Sequence, residues 1–265
     1  MDIDNANRLD VFISNNFNIS RVLAKKYIVE NKVYVNTKKV SKPAYKISPD
    51  EKIFIEFDEI NFVSRGGFKL SKAIKEFDIE VEDKVCIDVG SCTGGFTDCL
   101  LQYKAAEVYA VDVGTSQLHE KLISNKKVIS IENTNINDIS EDIINEKVDI
   151  IVADVSFVSV TKIMKSIKRL IDENGDIIIL IKPQFEVGIE FIKKGIVKNK
   201  KIHKKILKEL VDFFKHENLV VKNMTFSPIK GQKGNIEYLI HLKLCGDEKI
   251  IFVDEVVDSA FNGLK

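Results

Sequence analysis

The stretch Asp88-Val89-Gly90-Ser91-Cys92-Thr93-Gly94-Gly95-Phe96 constrains this chain more than any other. It follows an apolar run (Val85, Cys86, Ile87) and opens an amphipathic one (Phe96, Cys99, Leu100). The order is therefore strand, tight glycine turn, helix. Glycine lets the backbone turn sharply and approach a ligand closely. Amides at the helix start then face that ligand. An α/β sheet holds a nucleotide-like cofactor in this way, at the carboxyl end of its first strand.

The same alternation continues along the chain. Strands are expected over residues 84–89, 107–113, 128–131, 148–154 and 176–182, and helices over 94–103, 116–124, 138–145, 160–171 and 203–216. This pattern specifies a parallel sheet covered on both faces. Leu70, Ala73, Ile74 and Phe77 place a helix over 68–77, ahead of the sheet. Two last strands, 220–226 and 236–244, are joined by a short turn-rich segment and should pair antiparallel. Val253, Val256, Val257, Ala260 and Phe261 suit a terminal amphipathic helix.

Residues 8–57 read as a separate small unit. Ser20 caps a helix over 20–28, Val33-Tyr34-Val35-Asn36 reads as strand into turn, and 52–57 alternates as a second strand. Between Arg8 and Lys46 the bases are Arg8, Arg21, Lys25, Lys26, Lys32, Lys38, Lys39, Lys42 and Lys46, against only Asp10 and Glu30. A basic helix beside a basic turn is an electrostatic footprint for phosphates. A solubilising lysine-rich surface would look the same.

The whole chain of 265 residues has a formal net charge of +0, so nucleic-acid affinity must come from such a local patch. No apolar run approaches the ~20 residues that span a bilayer. The acidic, polar start is not a secretory signal, and the cytoplasm is the expected compartment. Cys86, Cys92, Cys99 and Cys245 form no C-x-x-C pair and read as reduced thiols. The histidines (His119, His203, His216, His241) are scattered, so no metal site is expected.

The glycine turn lacks the Gly-Lys-Ser/Thr of a phosphate loop and is not a full G-x-G-x-x-G. The second strand, Val108-Tyr109-Ala110-Val111-Asp112-Val113, ends in an acid about 20 residues past the turn, where such folds bind both ribose hydroxyls. Asp88 either fixes the turn or meets an ammonium group. A cofactor with an adenosine ribose, an amine and no pyrophosphate fits: S-adenosylmethionine. The plain alternative for Asp112 is a cap for the next helix.

Several blocks then resemble one family. They are Val63-Ser64-Arg65-Gly66-Gly67-Phe68-Lys69-Leu70, the glycine turn through Leu100, Tyr109 to Gly114, Asp154-Val155-Ser156-Phe157, Lys182-Pro183-Gln184-Phe185-Glu186, Ser227-Pro228-Ile229-Lys230-Gly231 and Gly234-Asn235-Ile236-Glu237. Over roughly residues 8–244 the chain resembles the TlyA family, whose members carry hemolysin and rRNA 2'-O-methyltransferase labels. The resemblance implies an α/β fold with a Rossmann-like, seven-stranded class I methyltransferase sheet, its last strand antiparallel, and a small N-terminal α+β RNA-binding domain. It divides the chain into an RNA-binding domain (1–57), a linker (58–64) and an FtsJ-like S-adenosylmethionine-dependent methyltransferase domain (65–265). It implies a catalytic tetrad of Lys69, Asp154, Lys182 and Glu237. The cofactor set becomes Asp88, Gly90, Ser91, Gly94, Gly95, Phe96, Asp112, Asn135 and Asp154. The RNA set is Arg8, Arg21, Lys25, Lys39, Arg65 and Phe157. Ser91-Cys92 stands where the family is expected to carry Ala-Ser, and Ile60-Asn61-Phe62-Val63 lacks the Arg-x-Trp pattern of some members.

The implied reaction is methylation of a cytidine 2'-hydroxyl in 16S rRNA, 23S rRNA or both, with rRNA or ribosomal subunits as partners and no DNA, stable membrane insertion or obligate protein partner. A ribose hydroxyl is a poor nucleophile near neutral pH and needs a base or strong acceptor. Lys182 ends an apolar strand that Pro183 stops. Burial or a second cation, such as Lys69, makes a lysine a better proton acceptor, and neighbouring carboxylates oppose this. Lys182 as base and Lys182 as orienting group therefore both stand. Asp154 and Glu237 orient the amines through charge-assisted hydrogen bonds, and alignment supplies most of the rate. Singly, each has a plain reading: a solvated sheet-edge lysine, a helix cap, a surface ion pair. Arg65 could clamp a phosphate. Phe157 is either a stacking platform for an extruded base or a core residue. The lysines from Lys193 to Lys205 read as a solvated loop and helix face, with contact to RNA as the alternative. A cytolytic protein and a non-catalytic rRNA-binding module are the rival readings.

Overall fold

The computed structural model describes residues 8–17, 21–48, 50–55, 62–140, 143–144, 146–231 and 233–264. The chain divides into two compact units, Met1–Arg65 and Gly66–Lys265. The expected Ser20 cap and the start of the connector, residues 58–61, lie outside the described residues.

The first unit holds α1 (Leu9–Asn16), α2 (Arg21–Val29), β1 (Val33–Val35), β2 (Lys38–Lys39) and β3 (Ile53–Ile55), with an antiparallel sheet in the order β2-β1-β3. Its core is built from helical spacings, Leu9 with Ile13 and Ala24 with Tyr27 and Ile28, against Val33 and Val35. Asn36 takes a left-handed conformation, φ 57°, to turn β1 into β2. Helix α1 had no counterpart in the sequence reading, because only Leu9 and Ile13 mark its buried face.

The second unit begins with α3 (Gly66–Phe77). Then come β4 (Val85–Val89), α4 (Gly95–Gln102), β5 (Glu107–Val111), α5 (Glu120–Ile123), β6 (Val128–Ile131), β7 (Val148–Ala153), α6 (Met164–Leu170) and β8 (Ile171–Ile181). The chain closes with α7 (Pro183–Glu186), α8 (Lys200–His216), β9 (Val220–Phe226), β10 (Tyr238–Lys243) and α9 (Val253–Gly263). The seven-stranded sheet runs β6-β5-β4-β7-β8-β10-β9. Neighbours from β6 to β8 pair parallel, while β10 pairs antiparallel with both β8 and β9. Ile177, Ile178, Ile179, Leu180 and Ile181 are all buried, as a strand covered on both faces requires.

The strand order reverses between β4 and β7. Ligands of open α/β sheets bind outside the carboxyl ends of strands at such a point. Here Gly90 and Asp154 follow those two ends.

Two expected helices are shortened. Residues 116–119 form no helix: Ser116 has φ 52°, and its amide binds Glu132 Oε1 at 3.0 Å. Of the span 138–145, only Asp138 is helical among the described residues, ending a 3-10 turn from Ile136. Polar side chains that bind nearby backbone compete with helix formation. Ile171 belongs to β8, not to the preceding helix.

Candidate active site

The four tetrad side chains converge from distant parts of the second unit. Asp154 follows β7, Lys182 follows β8, Glu237 immediately precedes β10, and Lys69 lies in the first turn of α3. Lys69 Nζ donates to Glu237 Oε2 at 2.7 Å and stands 4.0 Å from Asp154 Oδ2. Lys182 Nζ lies 2.6 Å from Asp154 Oδ1, a charge contact without hydrogen-bond alignment. Lys182 also donates to Ser156 Oγ at 2.7 Å. Lys69, Lys182 and Glu237 are buried, so each charge depends on its partners. A Cβ on Gly231 would stand 2.3 Å from Glu237 Oε1, so glycine there gives the carboxylate its room.

Around the glycine turn the structure redistributes several expected roles. Gly90 has φ 80°, and a Cβ there would lie 2.8 Å from the Asp154 carbonyl oxygen. The missing side chain thus lets the ends of β4 and β7 meet. The amides of Gly90 and Ser91 donate to Val111 O, and that of Gly94 donates to Ser91 O. Phe96 is buried, so only its backbone remains for a ligand; its ring joins Cys99 and Leu100 on the inward stripe of α4. Gly95 opens that helix. Asn135 accepts from the Asn137 amide and caps a 3-10 turn, which occupies its carbonyl oxygen.

Asp88 is fully buried. Its Oδ2 accepts from the amide and hydroxyl of Thr97 at 2.8 and 2.7 Å, which fixes the start of α4. Its Oδ1 is buried without a partner. Burial pushes the carboxyl up to about 7, against the Thr97 bonds, with Asp154 and Asp112 adding to the rise. Asp112 Oδ2 accepts from the Cys92 amide at 2.8 Å and Oδ1 from the Gly114 amide at 2.7 Å. Each oxygen keeps a second lone pair, so the carboxylate can still accept from two ribose hydroxyls. An orphaned buried acceptor and a pinned acid at the strand-order reversal fit an adenosine cofactor bearing an amine.

The two loops that carry Asp154 and Lys182 are tied together. Glu186 accepts from Ser159 Oγ at 2.6 Å and from the Val160 amide at 3.0 Å, and burial raises its carboxyl above the usual range. Phe157 is 90 % exposed with φ 63°, and its ring centroid lies 5.0 Å from that of Phe185. The core reading of Phe157 is therefore wrong. Its backbone is strained for a bulky residue, and such strain gathers at ligand sites. Ser156, Phe185 and Gly231 had no expected role, although they lie two, three and six residues from Asp154, Lys182 and Glu237.

In the first unit, the basic footprint is organised by an acid. Buried Asp10 accepts from Arg8 Nε at 2.9 Å and Arg8 Nη2 at 3.2 Å, and from Arg21 Nε at 3.0 Å; Lys25 Nζ is 3.8 Å away. Burial pushes the Asp10 carboxyl upward, but the two guanidinium groups outweigh it and hold it below its ordinary value. Arg8, Arg21 and Lys25 are thus spoken for in part, leaving three cations around one anion. Lys39 lies 5.2 Å from the centre of the Tyr34 ring. Arg65 is partly exposed at the end of the unit. Lys200 and Lys204 each lie 2.8 Å from Asp258, so part of the lysine run is a helix–helix contact between α8 and α9.

A Rossmann-like sheet with a cluster of paired amines and acids at its strand-order reversal, together with a small α+β unit with a basic stretch, is the frame of an α/β methyltransferase with an appended domain. The chain belongs to the FtsJ-like methyltransferase family, matched over residues 62–244, and carries an S4 domain over residues 7–53. It is 43% identical to Hemolysin A of Brachyspira hyodysenteriae, over 88% of this chain and 98% of that one. It is 37% identical to the 23S rRNA (cytidine-2'-O)-methyltransferase TlyA of Campylobacter jejuni, again over 88% and 98%. A solved structure of a "putative hemolysin" from Streptococcus thermophilus superposes with a TM-score of 0.75 at 36% identity, covering 97% of this chain and 96% of that one. Among the described residues, no helix is long and apolar enough to cross a membrane.

Proposed function

We propose that this protein methylates a ribose 2'-hydroxyl of rRNA, with cytidine as the nucleoside, 16S or 23S rRNA as the target and S-adenosylmethionine as the methyl donor. The observation that carries the reading is the convergence of Lys69, Asp154, Lys182 and Glu237 at the strand-order reversal. The name of the Campylobacter jejuni relative supports the cytidine 2'-hydroxyl, and the S4 domain supports an RNA target.

When bound, the cofactor supplies an electrophilic methyl on a sulfonium. Asp112 would hold its ribose and the Asp88–Asp154 side of the crevice its amine. Lys182 binds the target hydroxyl and orients a lone pair or takes the proton. Asp154 holds the Lys182 amine in place, and the Lys69–Glu237 pair stabilises Asp154. Phe157, with Phe185, stacks on the extruded base, a contact worth about 1–3 kcal/mol. Arg8, Arg21, Lys25, Lys39 and Arg65 contact phosphates. The protein acts where ribosomes are, in the cytoplasm.

The test is incubation with methyl-labelled cofactor and separated ribosomal subunits. A 2'-O-methyl group blocks alkaline cleavage of the next phosphodiester, so label should appear in alkali-resistant dinucleotides of rRNA. Label on a base, on protein or nowhere would reject the proposal.

A further inference from the structure

We propose that Ser156 is a positioning residue for methyl transfer and the outlet for the proton that the reaction releases. The inference rests on the methyltransferase reading above.

An ammonium carries three N–H groups. Lys182 points one at Ser156 Oγ, 2.7 Å away, while Asp154 Oδ1 stands 2.6 Å off as a charge contact. The Ser156 bond fixes one direction and so limits where the other two point, one of them towards the ribose hydroxyl. Asp154 alone could not set this direction, because its contact lacks hydrogen-bond alignment. Ser156 therefore locks the rotation of the amine. The lysine is buried and 9 % exposed, whereas Ser156 is exposed. The serine is thus the most exposed end of a mostly buried chain running Glu237, Lys69, Asp154, Lys182, Ser156. Its neighbour Phe157 occupies a left-handed conformation, which holds the loop turned at this point.

In the transfer, the O2'–H bond breaks and an O2'–CH3 bond forms as the methyl–sulfur bond breaks, leaving a neutral thioether. The hydroxyl proton passes to the Lys182 nitrogen when that nitrogen carries a lone pair. An Nζ proton then moves to Ser156 Oγ while the serine's own proton passes to water. Lys182 regains its lone pair, and no other reactant is consumed.

The experiment compares the full-length wild type with Ser156→Ala and Ser156→Thr. Turnover on ribosomal subunits, KM for the subunit and calorimetric cofactor affinity are measured together. Ser156→Ala should lower kcat about 10- to 100-fold, the scale of a misaligned reacting group, with KM and cofactor affinity within about twofold. Threonine keeps the hydroxyl and should restore kcat to within a few-fold. A second readout needs neither cofactor nor RNA: acetylation of Lys182 by acetic anhydride, followed by peptide mass spectrometry. Loss of the serine acceptor frees the amine, so labelling should be several-fold faster in the alanine variant and unchanged in the threonine one. Wild-type turnover in Ser156→Ala, failure of threonine to rescue, or unaltered labelling would each overturn the proposal. No methyl transfer by the wild type would instead remove the functional reading beneath it.

Discussion

Asp88 shows how one residue can serve structure and site at once. Its buried carboxyl anchors α4 through Thr97 while Oδ1 faces no partner. An acid raised by burial from 3.8 to about 7 binds more protons folded than unfolded between those values. Stability from this group is therefore full below about 3.8 and lost as pH rises towards 7. The difference in Tm between Asp88→Asn and wild type should shift in favour of the variant from pH 5 to pH 8; a constant difference in thermal melts would contradict this. The sequence offered Asp88 two roles, turn-fixing and ammonium contact. The first is visible in the Thr97 bonds. Phe96 was read both as the start of an amphipathic run and as a cofactor contact, and its burial agrees with the first. The Ser156–Lys182 bond was hidden, since the two residues come from loops after different strands.

At the scale of elements, strands were readable and polar connections were not. Five consecutive apolar residues before Lys182 and a proline after it leave little freedom about where β8 ends. By contrast, the Glu132 carboxylate takes the Ser116 amide from 16 residues away, and Asn135 caps a 3-10 turn just ahead of an expected helix, so neither helix start could be read locally. The pairing of Lys69 with Glu237 joins the first helix of the unit to the base of its last strand, 168 positions apart, and no local pattern announces it. The segment before β10 is shaped for that pair. Gly231→Ala should push the Glu237 carboxylate aside and lower kcat about 10-fold or more while cofactor affinity holds. Equal kcat in single-turnover assays would show that Glu237 tolerates the shift. In the first unit, Asp10 was read as one of two acids diluting a basic face. It proves to be the point on which Arg8 and Arg21 are mounted. Reversing charge at Arg21 and Lys25 should weaken RNA binding and lower the slope of log affinity against log salt by about 1 to 2. Anisotropy titrations at several salt concentrations read both; an unaltered slope would remove these residues from the interface.

For the whole molecule, the parallel sheet, its antiparallel last pair and the two-part organisation followed from alternation, the turn-rich final connection and the charge imbalance near the N-terminus, whereas the order of the strands did not. The family resemblance grouped residues 69, 154, 182 and 237; which amine pairs with which acid in their network could not be read, because only the folded sheet brings the ends of β7 and β8 and the start of β10 to α3. That network is the centre of the account. Its most direct test is the single-turnover rate of methyl transfer to ribosomal subunits by Lys182→Ala, with cofactor and RNA affinities measured on the same protein. The account predicts a loss of about 10²–10⁴-fold, the range for a lost general base, with both affinities within a few-fold of wild type. Transfer at the wild-type rate would contradict it.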